Sequence, residues 1–103
     1  MEEYVLFLNS CRRHMNEIVD AIDNSSDAVV RQLIAQYVNE LQVLINTWEE
    51  NEILSAEQLT QLAGDFIDGL ERFDLVYLRD VLKYGFNDVI NQLIGEEEAN
   101  EEN

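Results

Sequence analysis

Apolar residues recur at helical spacing in four successive runs. In the first, Tyr4, Leu8, Cys11, Met15, Ile18 and Ile22 stand 4, 3, 4, 3 and 4 residues apart. That alternation keeps every member on one stripe of an α-helix, predicted from about Glu3 to Ile22, with Val5, Phe7 and Val19 widening the stripe. Asp23-Asn24-Ser25-Ser26-Asp27 is a polar break, in which Ser26 or Asp27 can cap the next helix. The second run, Val30, Ile34, Tyr37, Leu41, Leu44 and Trp48, repeats the same spacing and predicts a helix from Asp27 to Glu50. Leu33, Val38 and Ile45 broaden it.

The third run opens on Ser55-Ala56-Glu57-Gln58, which fits the Ser-x-x-Gln capping box. Its inward stripe is Leu59, Leu62, Phe66, Leu70 and Phe73, interrupted by Gly64 and Gly69. Each glycine costs up to about 1 kcal/mol of helix propensity relative to alanine; close approach of a neighbouring helix would account for it, and so would mild kinking. The fourth run starts after Asp74, a good N-cap, and is expected to stop at Gly95. Its stripe is Leu75, Leu78, Leu82, Phe86, Val89 and Leu93.

The links are short, which makes sequential helices antiparallel neighbours, although the very tight third-to-fourth corner could instead splay those two into an L. The expected fold is all-α: an antiparallel up-down four-helix bundle over residues 1–95. A disordered acidic tail is expected over residues 96–103. The heptad-like spacing also permits pairing between chains, so a homodimer is compatible with the pattern.

Charge changes the picture next. Twenty-two acidic residues against six basic ones give a net charge of −16. Such a field repels nucleic acid and anionic membranes, favours solubility and suits a basic partner. The chain has one cysteine, so no intramolecular disulfide can form. The Met-Glu-Glu start has the wrong sign for a signal peptide. No run approaches the ~20 apolar residues of a membrane helix. The expected location is the cytosol.

Candidate chemistry is sparse. Cys11 and His14, three apart, are the one nucleophile–base pair to consider, but Cys11 lies on the core stripe, where cysteine acts as a small hydrophobe. One histidine and one cysteine cannot build a zinc site in a monomer. The Glu-x-x-His pattern of di-iron bundles is missing. Asp23–Asp27 does not extend to a calcium loop, since its sixth position is Ala28 and its twelfth Ile34. Asp65 with Asp68, and Glu17 with Asp20, are carboxylate pairs of the kind any acidic helix carries. No cofactor, metal or catalytic residue is expected, and the chain reads as a non-enzyme.

Three features point to binding instead. Tyr77, Val81, Tyr84 and Asp88 form a second stripe on the fourth helix, spaced 4, 3 and 4, and tyrosine favours interfaces because it is apolar with a polar handle. The plain alternative is that they border the core. Arg12-Arg13-His14 is a lone basic cluster, with Arg13 placed to pair with Glu17 at i, i+4. The acidic tail is either a solubilising end or a flexible arm for a basic partner. The segment Phe73-Asp74-Leu75-Val76-Tyr77-Leu78-Arg79-Asp80-Val81-Leu82-Lys83-Tyr84 resembles a motif of small uncharacterised helical proteins of Gram-positive bacteria, with Gly85 where those carry Glu. The resemblance implies a bacterial origin and a role for Asp74, Asp80, Leu82 and Tyr84. The expected function is a cytosolic adaptor or chaperone-like bundle. The alternatives are an acidic nucleic-acid-mimic inhibitor and an immunity or antitoxin protein.

Overall fold

The structure, a computed structural model, describes the backbone of residues 2–102 and the side chains of residues 3–98. The described residues are helical almost throughout. Helix α1 is Glu2–Asn24, α2 is Asp27–Glu50 and α3 is Ala56–Arg72. The fourth rod consists of α4 (Leu75–Asp80), a π-helical turn (Val81–Phe86) and α5 (Asn87–Glu102) in unbroken succession. Among the described residues no helix is long and apolar enough to cross a membrane.

The boundaries follow local chemistry. Ser26 caps α2, its hydroxyl accepting from the Val29 amide. Glu52, at φ 54°, turns the chain after α2. The Ser55–Gln58 capping box forms in both directions: Ser55 Oγ accepts from the Gln58 amide at 3.1 Å and Gln58 Oε1 from the Ser55 amide at 2.9 Å. At the third corner Phe73 adopts a left-handed φ of 46°, the Asp74 amide bonds back to the Gly69 carbonyl, and the Phe73 amide bonds to that of Leu70. This is the bonding of a Schellman motif, which normally places glycine at the left-handed position. Here the guanidinium of Arg31 lies 3.6 Å over the Phe73 ring, a contact that glycine could not make. Asp74 then caps α4 by accepting from the Tyr77 amide.

The helices form a ring: α1 lies against α2, α2 against α3, α3 against α4 and the π turn, and the fourth rod against α1. Inside it, Leu8, Cys11, Met15, Ile18, Val30, Leu44, Trp48, Leu78, Leu82, Phe86 and Ile90 are fully buried. Phe86 links the layers. It stacks against Trp48 at 6.1 Å between ring centres and meets the Phe66 ring edge-on at 6.0 Å.

The fourth rod departs from expectation in three ways. First, the Asn87 amide bonds to the Leu82 carbonyl, five residues back, so the π turn carries one residue more than an α-helical turn. Inward positions after it therefore fall one residue later, and Ile90, not Val89, is fully buried. Second, Val81 is buried and belongs to the core. The rod touches both α1 and α3, so its buried arc is wider than one stripe. Third, the helix does not stop at Gly95. No glycine has a positive φ, so the left-handed residue that would end it is missing. Gln92 bonds Glu96 at i, i+4, and the following Glu and Ala residues are good helix formers. Of the tail expected as disordered over residues 96–103, residues 96–102 continue α5, and Asn103 lies outside the described residues.

Candidate interaction surface

The fourth rod meets its two neighbours differently. Towards α1 it presents polar side chains. Arg12 donates to Asn91 Oδ1 at 2.9 Å and to Asn9 Oδ1 at 2.6 Å. Asn87, buried, donates to Asn16 Oδ1 at 3.0 Å. Arg79 pairs with Asp23 at 2.9 Å, and that carboxylate raises the guanidinium pKa. Towards α3 the rod is close-packed. A Cβ on Gly69 would lie 2.9 Å from Leu78 Cδ2, and one on Gly85 would lie 2.6 Å from Leu62 Cδ1. Gly64 has open space around it, so only Gly69 of the two glycines in α3 answers the expectation of close approach.

Beside Gly85 the surface opens into a groove of about 430 Å³. Leu54, Leu62, Gly85 and Val89 supply its apolar lining, and Glu57, Gln58, Gln61 and Asp65 its polar edge. Gln61 donates to Asp65 Oδ1 at 2.7 Å and holds that carboxylate in place. Tyr84, 61% exposed, directly precedes Gly85 in the chain, and Asp88, also exposed, directly precedes Val89. A second groove of about 250 Å³ runs between α2 and α3, lined by Ile34, Ala35, Val38, Leu70, Phe73 and Arg31.

The expected tyrosine stripe is therefore only partly a surface. Tyr84 and Asp88 are exposed. Val81 is in the core, and Tyr77 is half-buried, packed beside Gly69. The Tyr77 phenol pKa is raised chiefly by the neighbouring Asp65 carboxylate. Within the segment carrying the resemblance, Asp74 is a cap and Leu82 is core, whereas Asp80 and Tyr84 face solvent.

The basic cluster divides as well. Arg12 is built into the α1 seam, while Arg13 is exposed. The expected Arg13–Glu17 pair does not form; Glu17 accepts from the Tyr37 hydroxyl at 2.7 Å. The Tyr37 ring stacks on His14 at 4.1 Å, and His14 Nδ1 lies 2.6 Å from Glu40 Oε2. His14 thus engages Glu40 and not Cys11. Burial, with Glu40 adding to it, pushes the Cys11 thiol up to about 12, so it stays protonated at neutral pH. Within the carboxylate pairs, Asp65, Asp68 and Asp20 bond in their own helices, to Gln61, Arg72 and Asn24, whereas Glu17 reaches across to α2. Among the described residues no three metal-binding side chains converge.

The sequence reading missed the polar seam, Asn87 and the groove. Gly85 and the three asparagines Asn87, Asn91 and Asn16 were the available signals. Comparison with protein-family models, with curated proteins and with solved structures finds no match for this chain.

Proposed function

We propose that this chain is a non-enzymatic protein-binding module, a cytosolic adaptor or chaperone-like bundle with up-down antiparallel helices. Cross-helix pairs support the topology, because residue numbers rise in one helix as they fall in its neighbour. The pairs are His14–Glu40 and Glu17–Tyr37 for α1 with α2, and Arg12–Asn91, Asn16–Asn87 and Asp23–Arg79 for α1 with the fourth rod.

The observation that carries the functional reading is Tyr84 standing exposed beside an open, apolar-floored groove. The core is complete without this tyrosine. A single exposed apolar residue is ordinary, but a tyrosine next to an apolar cavity with an acidic edge has the composition of a docking patch. A second reading, the nucleic-acid mimic, draws on the charge: the ion pairs among described residues engage Asp23, Glu40, Asp68 and Asp80, leaving most carboxylates to solvent.

The test is capture of partners from host lysate by the tagged chain at low salt and at about 0.5 M salt, where the screening length is roughly 4–5 Å. The expected result is one partner retained at high salt and lost with Tyr84→Ser. A nucleic-acid-binding partner released by salt would favour the mimic, and a toxic enzyme would favour the immunity reading.

A further inference from the structure

We infer that the groove between α3 and the fourth rod seats a basic amphipathic helix of another protein. This rests on the protein-binding reading and gives its partner a chemistry. The floor is apolar: Leu54, Leu62, Val89 and the bare backbone of Gly85. One rim carries Glu57 and Asp65. Gln58 and Gln61 complete that polar rim. No lysine or arginine lines the groove, and the nearby Lys83 ammonium lies over the Tyr84 ring at 5.6 Å.

An apolar floor beside a carboxylate rim reads both halves of such a helix. Its apolar stripe enters the floor, and the lysines and arginines flanking that stripe meet the rim. The hydrogen bond from Gln61 orients Asp65 before the partner arrives, which lowers the ordering cost of binding. The α2–α3 groove is a poorer seat for a cation, because Arg31 stands at its mouth over Phe73. A second copy of this chain is a poor occupant too. At a net charge of −16, two copies bring like charges to one face.

The probe is a fluorescein-labelled synthetic peptide of about 18 residues, leucines on one helical face and lysines on the other. A peptide of the same composition, reordered to have no apolar face, is the control. The ordered peptide should bind the full chain at least about tenfold tighter than the control. Amide shifts should gather at Leu54, Leu62, Gly85 and Val89. Val89→Lys should weaken binding about tenfold or more, Val38→Lys should not, and Glu57→Gln with Asp65→Asn should flatten the salt dependence. Circular dichroism checks that Val89→Lys remains folded; if it does not, the shift map and the carboxylate variants decide. Equal affinity for the two peptides overturns the inference, as do shifts gathered at Val38 and Phe73. Self-association of the chain that Val89→Lys abolishes overturns it as well. If the peptide fails while Tyr84→Ser still releases a salt-resistant host partner, the inference falls and the protein-binding reading stands. If Tyr84→Ser changes nothing either, both fall.

Discussion

On its α1 flank the fourth rod is held by long polar side chains, and on its α3 flank by the lack of side chains. Arg12, Asn91, Asn87 and Asn16 reach across one seam with directional bonds. Gly69 and Gly85 let the other seam close until leucine methyl groups fill it. The two devices fix different things. Hydrogen bonds specify which residue faces which, because a slipped register leaves the buried Asn87 Nδ2–H group without its acceptor on Asn16. Glycines specify how near two helices come, because dispersion contacts fall off within an ångström. A rod with one flank of each kind has both its register and its distance set.

Removing the rod's central anchor should have the largest effect. Phe86 is fully buried, stacked on Trp48 of α2 and edge-on to Phe66 of α3. Phe86→Ala should cost about 3–5 kcal/mol, a large part of the roughly 5–15 kcal/mol available to a domain. Urea unfolding followed by Trp48 fluorescence would read it; a loss under about 1 kcal/mol would mean the site collapses without consequence.

The glycine flank can be tested alone. Gly69→Ala meets the buried Leu78 at Cγ as well as Cδ2, so it should destabilise by about 1–3 kcal/mol. Gly64→Ala, on the same helix with nothing near it, should instead stabilise by up to about 1 kcal/mol. Melting temperatures that move the same way for both would remove close approach as the reason for Gly69.

The polar flank should respond least in stability. Asn87→Leu exchanges one hydrogen bond for apolar burial, and the change should stay within about 1 kcal/mol. Its effect should appear in register, as doubled amide resonances around Asn16 and Asn91. A single set of peaks with a loss beyond about 2 kcal/mol would make this flank a source of strength, not of register.

Most of the elements were legible from the residues. The 4-and-3 alternation located the helices, and Ser55 with Gln58 and Asp74 marked two starts where the caps form. The π turn was not legible. A slip of one residue is hidden in a pattern that already alternates threes and fours, so Phe86 and Val89 looked equally inward. Val81 was ambiguous for a different reason: the rod buries an arc wider than one stripe, and valine suits a ridge and a core alike. The end of α5 is not legible either, because Gly95 is a stop only when its φ turns positive, which composition does not reveal. Of the candidate surface, Tyr84 and Asp88 could be found by spacing. The groove beside them depends on α3 meeting the rod at Gly85, a tertiary fact.

The π turn has a consequence best put in terms of insertions and deletions. A helix with one surplus residue between Val81 and Phe86 can lose a residue there, Lys83 for instance, and return to α-helical pitch. Phe86, Ile90 and Leu93 would still face inward, because the deletion removes the slip that placed them. The same deletion a turn later, within α5, would swing everything beyond it by about 100° and bring surface residues into the core. The turn is thus the stretch of this rod where chain length can change by one without changing which residues are buried.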